Sequence, residues 1–286
     1  MNLLKHIGMG LILLFSVSLN AQKHSETFKE DRQFPSASSD NLLVVYNVYG
    51  SVKVEGYNGN TVQIEGQLDI KGNNQRQLEQ GKAEVDMKVE MNGNTMYVYL
   101  DSPYTDFDLN TGRYGHSSNW TQVKYHYTLD ISIKVPKNTS IELSAINDGV
   151  VEARNIDAKT ISANNINGPI TLENVAGKTY VNALNQDINI SYAKNPTEES
   201  SFNSLNGNIN IQMQKGLNAD VSFKSLNGDI YTNMETKVSP SKRNLERKEG
   251  RRGTKYKVDS NTQFSIGNGG VKLNFDLLNG DVTIKE

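Results

Sequence analysis

One acidic segment of the chain carries oxygen-bearing side chains at alternate positions. Asp106, Asp108 and Asn110 fall in Asp-Phe-Asp-Leu-Asn-Thr-Gly, which is similar to the opening of a calcium-binding loop. Such loops require Gly at the sixth position and Glu at the twelfth, where this chain has Thr111 and Ser117. The pattern therefore favours a solvated loop over a calcium site, and no other motif suggests a cofactor.

Catalytic chemistry has little support in the sequence. The chain has no cysteine and four histidines, none at a spacing typical of a metal site or a catalytic triad. The enzyme alternative is a carbohydrate-active β-helix, a polysaccharide lyase or hydrolase, which needs clustered carboxylates on one outer face. Glu152, Glu173 and Asp187 would have to converge in such an enzyme, so their positions discriminate between the two hypotheses.

Aromatic side chains interrupt the strand-like pattern in residues 101–122. Tyr104, Tyr114 and Trp120 lie there, and such rings offer flat apolar faces with polar tips that can stack on sugars. The same rings could instead pin the segment onto the end of the fold as a cap. We favour the cap and keep the three residues as candidate glycan contacts.

A basic insert occupies residues 236–257, with nine Lys or Arg residues against two Glu. Such a cluster could bind an anionic surface, for example lipopolysaccharide phosphate or an acidic glycan. Ser, Gly and Glu are mixed among the basic residues, which favours a disordered solvated loop, and nucleic acid is not expected. The candidate anion contacts are Lys242, Arg243, Arg247, Lys248, Arg251 and Arg252.

The candidate residues named above lie in or beside a repeated sequence unit, which determines the fold around them. The run from Phe202 to Ile209, FNSLNGNI, returns 21 residues later as FKSLNGDI, and LNGDV from Leu278 to Val282 is a last copy. A period near 20 residues fits two short strands and two turns, which is one coil of a stack. The sequence therefore predicts an all-β fold with a parallel β-solenoid over 140–286, in which Ile209 pairs with Ile188 and Ile230. The alternative is an antiparallel meander of Asn-Gly hairpins.

The turn asparagines are predicted to be structural. Each follows an apolar residue and usually precedes Gly, and stacked amides about 4.8 Å apart can hydrogen-bond from coil to coil. This set comprises Asn167, Asn185, Asn206, Asn227 and Asn279.

The N-terminal region divides into three parts. Residues 1–21 have the charge and apolar run of a signal peptide, too short to span a membrane. Residues 22–40 are polar and predict a leader that becomes ordered only when it docks on the rest of the protein. Residues 41–139 predict a β-rich part of the repeat domain. This part is expected to contain a short helix near 73–82 and a hairpin around Asn92-Gly93. The mature protein is expected in the periplasm or at the cell surface.

Three motifs together resemble the adhesin-like β-strand-repeat family of exported bacterial proteins. They are the strand-plus-proline entry Ile131–Lys137, the Leu-Asn-Gly-Asp turns, and Ile-Gly-Asn-Gly-Gly at 266–270 before a last Asn-Gly-Asp. The resemblance covers about 40–286; Pro169, Gln186-Asp187 and the basic insert depart from it. It implies a solenoid-like envelope protein with no catalytic residues to carry over.

These observations predict a non-enzymatic exported envelope or surface protein with an adhesin-like or scaffolding role. Its expected partner is an envelope glycan, lipopolysaccharide or another envelope protein, and it is not expected to span the membrane. The carbohydrate-active enzyme remains the alternative.

Overall fold

The computed structural model describes residues 22–116, 123–238, 245–250, 253–258 and 262–286. The predicted signal peptide, 1–21, lies outside them, as do Trp120, Lys242, Arg243, Arg251 and Arg252. The described chain is all-β apart from one helix.

The elements follow one another along the chain with short connections. The first half comprises β1 (Gln22–Arg32), β2 (Leu42–Tyr46), β3 (Val52–Tyr57), β4 (Val62–Gly72), α1 (Gln75–Glu84), β5 (Asp86–Asn92), β6 (Thr95–Asp101), β7 (Thr105–Asp108), β8 (Arg113–His116), β9 (Tyr125–Pro136), β10 (Ser140–Ala145) and β11 (Val151–Arg154). The second comprises β12 (Asp157–Asn165), β13 (Ile170–Ala183), β14 (Ile188–Tyr192), β15 (Ser200–Asn206), β16 (Ile209–Gln212), β17 (Ala219–Asn227), β18 (Ile230–Thr232), β19 (Thr236–Val238), β20 (Leu245–Gly250), β21 (Gly253–Val258), β22 (Thr262–Ile266), β23 (Val271–Asn279) and β24 (Val282–Lys285).

Two long ladders of strands face each other across the core. The first sheet has the spatial order β1, β4, β9, β3, β11, β13, β14, β16, β24 and β18. The second has the order β5, β6, β2, β10, β12, β13, β15, β23, β17, β22 and β19. From β11 to β18 the chain alternates between the sheets, and the long strand β13 takes part in both. The interior pairings are parallel, so the antiparallel meander of hairpins is wrong for this part of the chain.

Alternating aliphatic and aromatic side chains fill the space between the sheets. Ile170, Ile188 and Ile209 are fully buried in the first sheet, and Val181 and Phe202 in the second. Each is buried only because strands on either side and in the facing sheet cover it, so the core is continuous from coil to coil. Fully burying one such side chain contributes roughly 1.5–3 kcal/mol.

The C-terminal segment is inserted between the two most similar repeats. Ile209 pairs with Ile188 as predicted, but its other neighbour is Val282, which in turn pairs with Ile230. The predicted pairing of Ile209 with Ile230 is therefore wrong. In the second sheet β23 likewise lies between β15 and β17, and the Phe275 ring stacks on Phe202 with centroids 4.9 Å apart.

A glycine-rich turn makes this insertion geometrically feasible. β22 and β23 flank β17 on opposite sides, so Ala219 has Ile266 as its partner on one side and Val271 on the other. The connection, 267–270, must therefore cross over the start of β17. Gly267, Gly269 and Gly270 there have φ values of +59°, +75° and +150°, which residues with side chains rarely adopt. The Ile-Gly-Asn-Gly-Gly motif is thus a crossover turn.

Antiparallel strands close three of the four sheet ends. They are β1 with β4, β5, and β22 with β19. Residues 22–32 of the predicted leader form β1, an edge strand that is docked in register on β4. The fourth end is the short strand β18, beyond which no partner strand lies within the described part of the chain.

Other predictions for the flanking regions have mixed outcomes. The helix α1 and the β5–β6 hairpin lie where the sequence predicts them. Residues 245–250 and 253–258 of the basic insert, expected as a disordered loop, instead form the antiparallel strand pair β20 and β21. Regular main-chain pairing between these strands explains the difference, because it does not depend on the charge of the side chains.

Candidate functional site

The turn asparagines form one hydrogen-bonded column along the stack. Asn167 Nδ2 donates to Asn147 Oδ1 at 2.8 Å, and Asn185 donates to Asn167 at 2.9 Å. Beyond them Asn206 donates to Asn185 at 3.3 Å, Asn279 to Asn206 at 2.7 Å, and Asn227 to Asn279 at 2.8 Å. Asn147 was missed by sequence reasoning, although Ile-Asn-Asp-Gly at 146–149 is a variant of the repeated turn. We call these six residues the Asn ladder.

The residue two positions after the turn asparagine supports the same stacking through the backbone. Asp187 Oδ1 accepts the backbone N–H of Asn208 at 2.7 Å, and Asn208 Oδ1 accepts that of Asp281 at 3.0 Å. Asp281 Oδ1 accepts the N–H of Asp229 at 2.9 Å. Asp and Asn are equivalent acceptors here, which explains why the two alternate at this position.

Replacing one ladder residue should have a moderate effect. In Asn206→Ala two amide hydrogen bonds are lost, but the side chain is exposed, so water takes their place and we expect a loss of about 1 kcal/mol. Urea unfolding of the variant measures it. Asn60→Ala, at an exposed turn outside the ladder, is the control and should change stability by less than about 0.5 kcal/mol. Equal midpoints for the two variants would contradict a stabilising role for the ladder.

The apolar residues that precede these asparagines are not buried. Ile166, Leu184, Leu205 and Leu278 are 38–39% exposed, and Leu226 is 72% exposed. They point outward at the corner and form an apolar column beside the Asn ladder. The excess exposure of Leu226 reflects its place in the last coil of the stack.

An aromatic pocket lies at the end of the apolar column. This cavity has a volume of about 470 Å³, and Ile146 lines it together with the tyrosines Tyr49, Tyr104, Tyr125 and Tyr127. The rings of Tyr49 and Tyr127 meet edge to face with centroids 5.4 Å apart. Asn147, Asp148, His126 and Thr128 supply polar groups to the lining. The pocket therefore combines apolar ring surfaces with hydrogen-bonding groups.

The tyrosines of the pocket come from different parts of the chain. Tyr125 and Tyr127 alternate along β9, Tyr49 precedes β3, and Tyr104 precedes β7. Sequence reasoning singled out Tyr104 alone among the four. The signal for two others was the Tyr-His-Tyr alternation at 125–127, which places both tyrosines on one side of a strand.

Two of the pocket tyrosines, Tyr125 and Tyr127, have raised pKa values. Burial raises the pKa of Tyr127 to about 12. Burial and the hydrogen bond that Tyr125 donates to Glu84 Oε2 at 2.7 Å raise the pKa of Tyr125 as well. A ligand in the pocket therefore meets uncharged phenol groups at Tyr125 and Tyr127.

Tyr114 lies in a separate aromatic cluster and not in the pocket. Its ring stacks on Tyr46 with centroids 5.2 Å apart, and its hydroxyl donates to the carbonyl oxygen of Leu100 at 2.7 Å. Phe107 packs on Tyr99 at 4.3 Å and extends the cluster. These contacts fix the β7–β8 hairpin onto the second sheet.

A second cavity of about 590 Å³ lies on the outer face of the first sheet and is lined by charged residues. Glu152 and Glu173 line it, but Asp187 does not, because its carboxylate serves the turn described above. Lys53 contacts Glu152 at 3.5 Å, and Arg154 contacts Glu55 at 3.6 Å. The three acids named for the enzyme alternative therefore do not converge on one site.

The calcium candidate has its carboxylate engaged in a turn. Asp108 accepts hydrogen bonds from the Thr111 hydroxyl and the Asn110 N–H, each at 2.9 Å, and these hold the pKa of Asp108 below its usual value. Asp106 lies on β7 opposite Gly115. Among the residues that the structure describes, no group of three or more His, Asp or Glu side chains could hold a metal ion.

The candidate anion contacts remain a prediction. Arg247 and Lys248 lie on β20, opposite Tyr256 and Lys255 of β21. The other four candidates lie outside the described residues. No helix in the described part of the chain is long and apolar enough to cross a membrane.

Comparison with known proteins places the chain in a family. Three solved structures resemble it at low identity. A candidate cell adhesion protein from Clostridium sporogenes is 14% identical with a TM-score of 0.45, and the match covers 91% of this chain and 99% of that one. A candidate adhesin from Bacteroides fragilis is 12% identical with a TM-score of 0.29 (coverage 91% and 97%), and a candidate lipid-binding protein from Parabacteroides distasonis is 8% identical with a TM-score of 0.27 (coverage 90% and 96%). No curated protein matches the chain. The model of the Toastrack DUF4097 family matches residues 33–263. The chain belongs to the Toastrack DUF4097 family.

Proposed function

We propose that the protein is a non-catalytic, adhesin-like protein of the cell envelope or surface. In this proposal a parallel β-solenoid serves as a rigid scaffold, and the aromatic pocket binds a glycan of the envelope. The signal-like N-terminus is the basis for export, to the periplasm or the cell surface.

The aromatic pocket is the observation that carries the proposal. Sugars present apolar C–H faces and many hydroxyl groups, which suit tyrosine rings and a rim of amide, carboxylate and hydroxyl groups. The pocket volume of about 470 Å³ lies in the range of small-molecule sites. Asp148 adds one carboxylate to the lining, which favours a neutral sugar over an acidic one.

The scaffold part of the proposal rests on the exterior of the coils. Outward positions carry amide side chains that hydrogen-bond to one another, as in Asn182 to Asn164 at 2.7 Å and Asn203 to Asn182 at 2.6 Å. These amide groups take part in stacking, and in the outer cavity Lys53 pairs with Glu152 and Arg154 with Glu55.

A glycan array with the purified protein tests the proposal. Tyr104→Ala removes one half-buried ring of the pocket, and we expect about tenfold weaker binding to the glycans that the unmodified protein selects. Tyr180→Ala is the matched control, because Tyr180 lies on β13 and contacts Lys178 at 4.9 Å, outside the pocket. Its binding should be unchanged.

Two results would count against this proposal. One is the absence of binding to any glycan or lipopolysaccharide on the array. The other is glycan binding that Tyr104→Ala leaves intact, which would direct attention to the basic insert. In that case binding should weaken with added salt, because exposed charges are screened over about 8–10 Å at physiological ionic strength.

A further inference from the structure

Three Asn-Gly pairs of the Asn ladder have almost the same sequence but different surroundings. Asn206 and Asn227 both follow Ser-Leu, and Asn279 follows Leu-Leu. In space they are consecutive, in the order Asn206, Asn279 and Asn227. Differences in their chemistry must therefore come from their position in the ladder.

An Asn-Gly pair can cyclise when the Gly backbone nitrogen attacks the Asn side-chain carbonyl. In the two inner pairs both of these groups are hydrogen-bonded to a neighbouring coil. Gly207 N–H donates to the carbonyl oxygen of Asn279 at 3.2 Å, and Gly280 N–H donates to that of Asn227 at 3.0 Å. The carboxamide oxygen of Asn206 accepts from Asn279, and that of Asn279 accepts from Asn227. Both the nucleophilic nitrogen and the side-chain carbonyl are thus fixed to a neighbouring coil.

The outermost pair lacks both restraints. Asn227 donates to Asn279, but no coil lies beyond it in the described structure to donate to its carboxamide oxygen. Within the same part of the chain, Gly228 N–H has no acceptor, because the acceptor in the inner pairs is the Asn carbonyl of the next coil. The Asn227 side chain is also exposed to water.

We infer that Asn227 is a site of spontaneous deamidation and that the ladder protects Asn206 and Asn279 from the same reaction. The Gly228 nitrogen attacks Cγ of Asn227 and forms the C–N bond of a five-membered succinimide. The side-chain nitrogen leaves as ammonia, which carries away the proton from Gly228. Water then opens the ring at either carbonyl, leaving aspartate or isoaspartate.

The modification would change the end of the stack in a defined way. An added carboxylate at position 227 replaces the amide that donates to Asn279, so the last ladder bond is lost. The new charge lies on the same turn as Asp229 and next to the turn of Asp281, so it faces like charge. Reaction at the inner pairs requires local opening of a coil, and each 1.4 kcal/mol of opening free energy slows it about tenfold.

Peptide mapping by mass spectrometry after incubation of the purified protein in mildly alkaline buffer tests this inference. We expect Asn227 to deamidate about tenfold or more faster than Asn206 and Asn279. A parallel sample unfolded in urea removes the ladder, and there the three sites should react at similar rates. Asn92-Gly93, at an exposed turn with open space around Gly93, is the positive control in the folded protein.

The outcomes separate clearly. Folded protein in which Asn206 and Asn279 react as fast as Asn227 would show that the ladder gives no protection. Folded protein in which Asn227 is as slow as the inner two, while Asn92 reacts, would show that Asn227 is restrained as well. Either result overturns the inference.

Discussion

Phe275→Ala should destabilise the protein by about 3–5 kcal/mol, a large effect for a single substitution. The Phe275 ring is 2% exposed and stacks on Phe202, which is fully buried. The substitution leaves a cavity between two coils that cannot close without moving their backbones. Chemical denaturation of the purified variant measures the loss, and Tyr231→Ala, at a residue that is 51% exposed, is the control that should cost little.

A double-mutant cycle then tests the inserted position of β23. Phe202 and Phe275 are neighbours in the second sheet, so their alanine substitutions should couple by about 1 kcal/mol. Phe202 and Phe223 are separated by β23 and should couple by less than about 0.5 kcal/mol. Stronger coupling of Phe202 with Phe223 would indicate that the two repeats are stacked in sequence order, and that the insertion is wrong.

Gly207→Ala should cost about 3 kcal/mol, because the added methyl group has no space. A Cβ atom at Gly207 would lie 2.3 Å from the carbonyl oxygen of Gln186 in the neighbouring coil. That oxygen belongs to the backbone, so the coils themselves must separate, which costs at least as much as overpacking a core. The φ angle of Gly207 is not positive, so steric conflict alone is being measured.

Gly115→Ala provides the matched control for this experiment. A Cβ atom at Gly115 would meet nothing within 4 Å, and this glycine also lies in a strand pair. Thermal unfolding should therefore give a large loss for Gly207→Ala and almost none for Gly115→Ala. Similar melting temperatures for the two variants would contradict the close approach of the coils at the turn.

The repeat made the parallel pairing predictable, but it could not reveal the order of the coils. The aliphatic residues Ile188 and Ile209 occur at a constant offset from each turn, and this regularity is what stacking requires. Ile209 finds the same kind of partner in Val282 as it would in Ile230. Because the repeated units are equivalent, their sequences carry no information about which of them are neighbours.

The aromatic pocket was only partly predictable for a different reason. Tyr104 belongs to an unusual loop and attracted notice, whereas Tyr49 and Tyr127 belong to strand patterns that predict ordinary packing. They meet because β3 pairs with β9, which are separated by a helix and several strands in the chain. A single sequence does not specify such a long-range pairing.

The insertion of β23 and β24 affects the order in which the protein can assemble as it emerges from its site of synthesis. The slot between β16 and β18 stays vacant until the last residues of the chain are available. Until then the two almost identical repeats on either side can pair with each other, and this wrong pairing must break before the native one forms. A vacant slot of this kind also accepts the C-terminal segment of another copy, so slow refolding at high concentration should yield exchanged dimers, detectable by size-exclusion chromatography. Because the two repeats are so similar, the insertion of β23 and β24 between them is the folding step most exposed to wrong pairing.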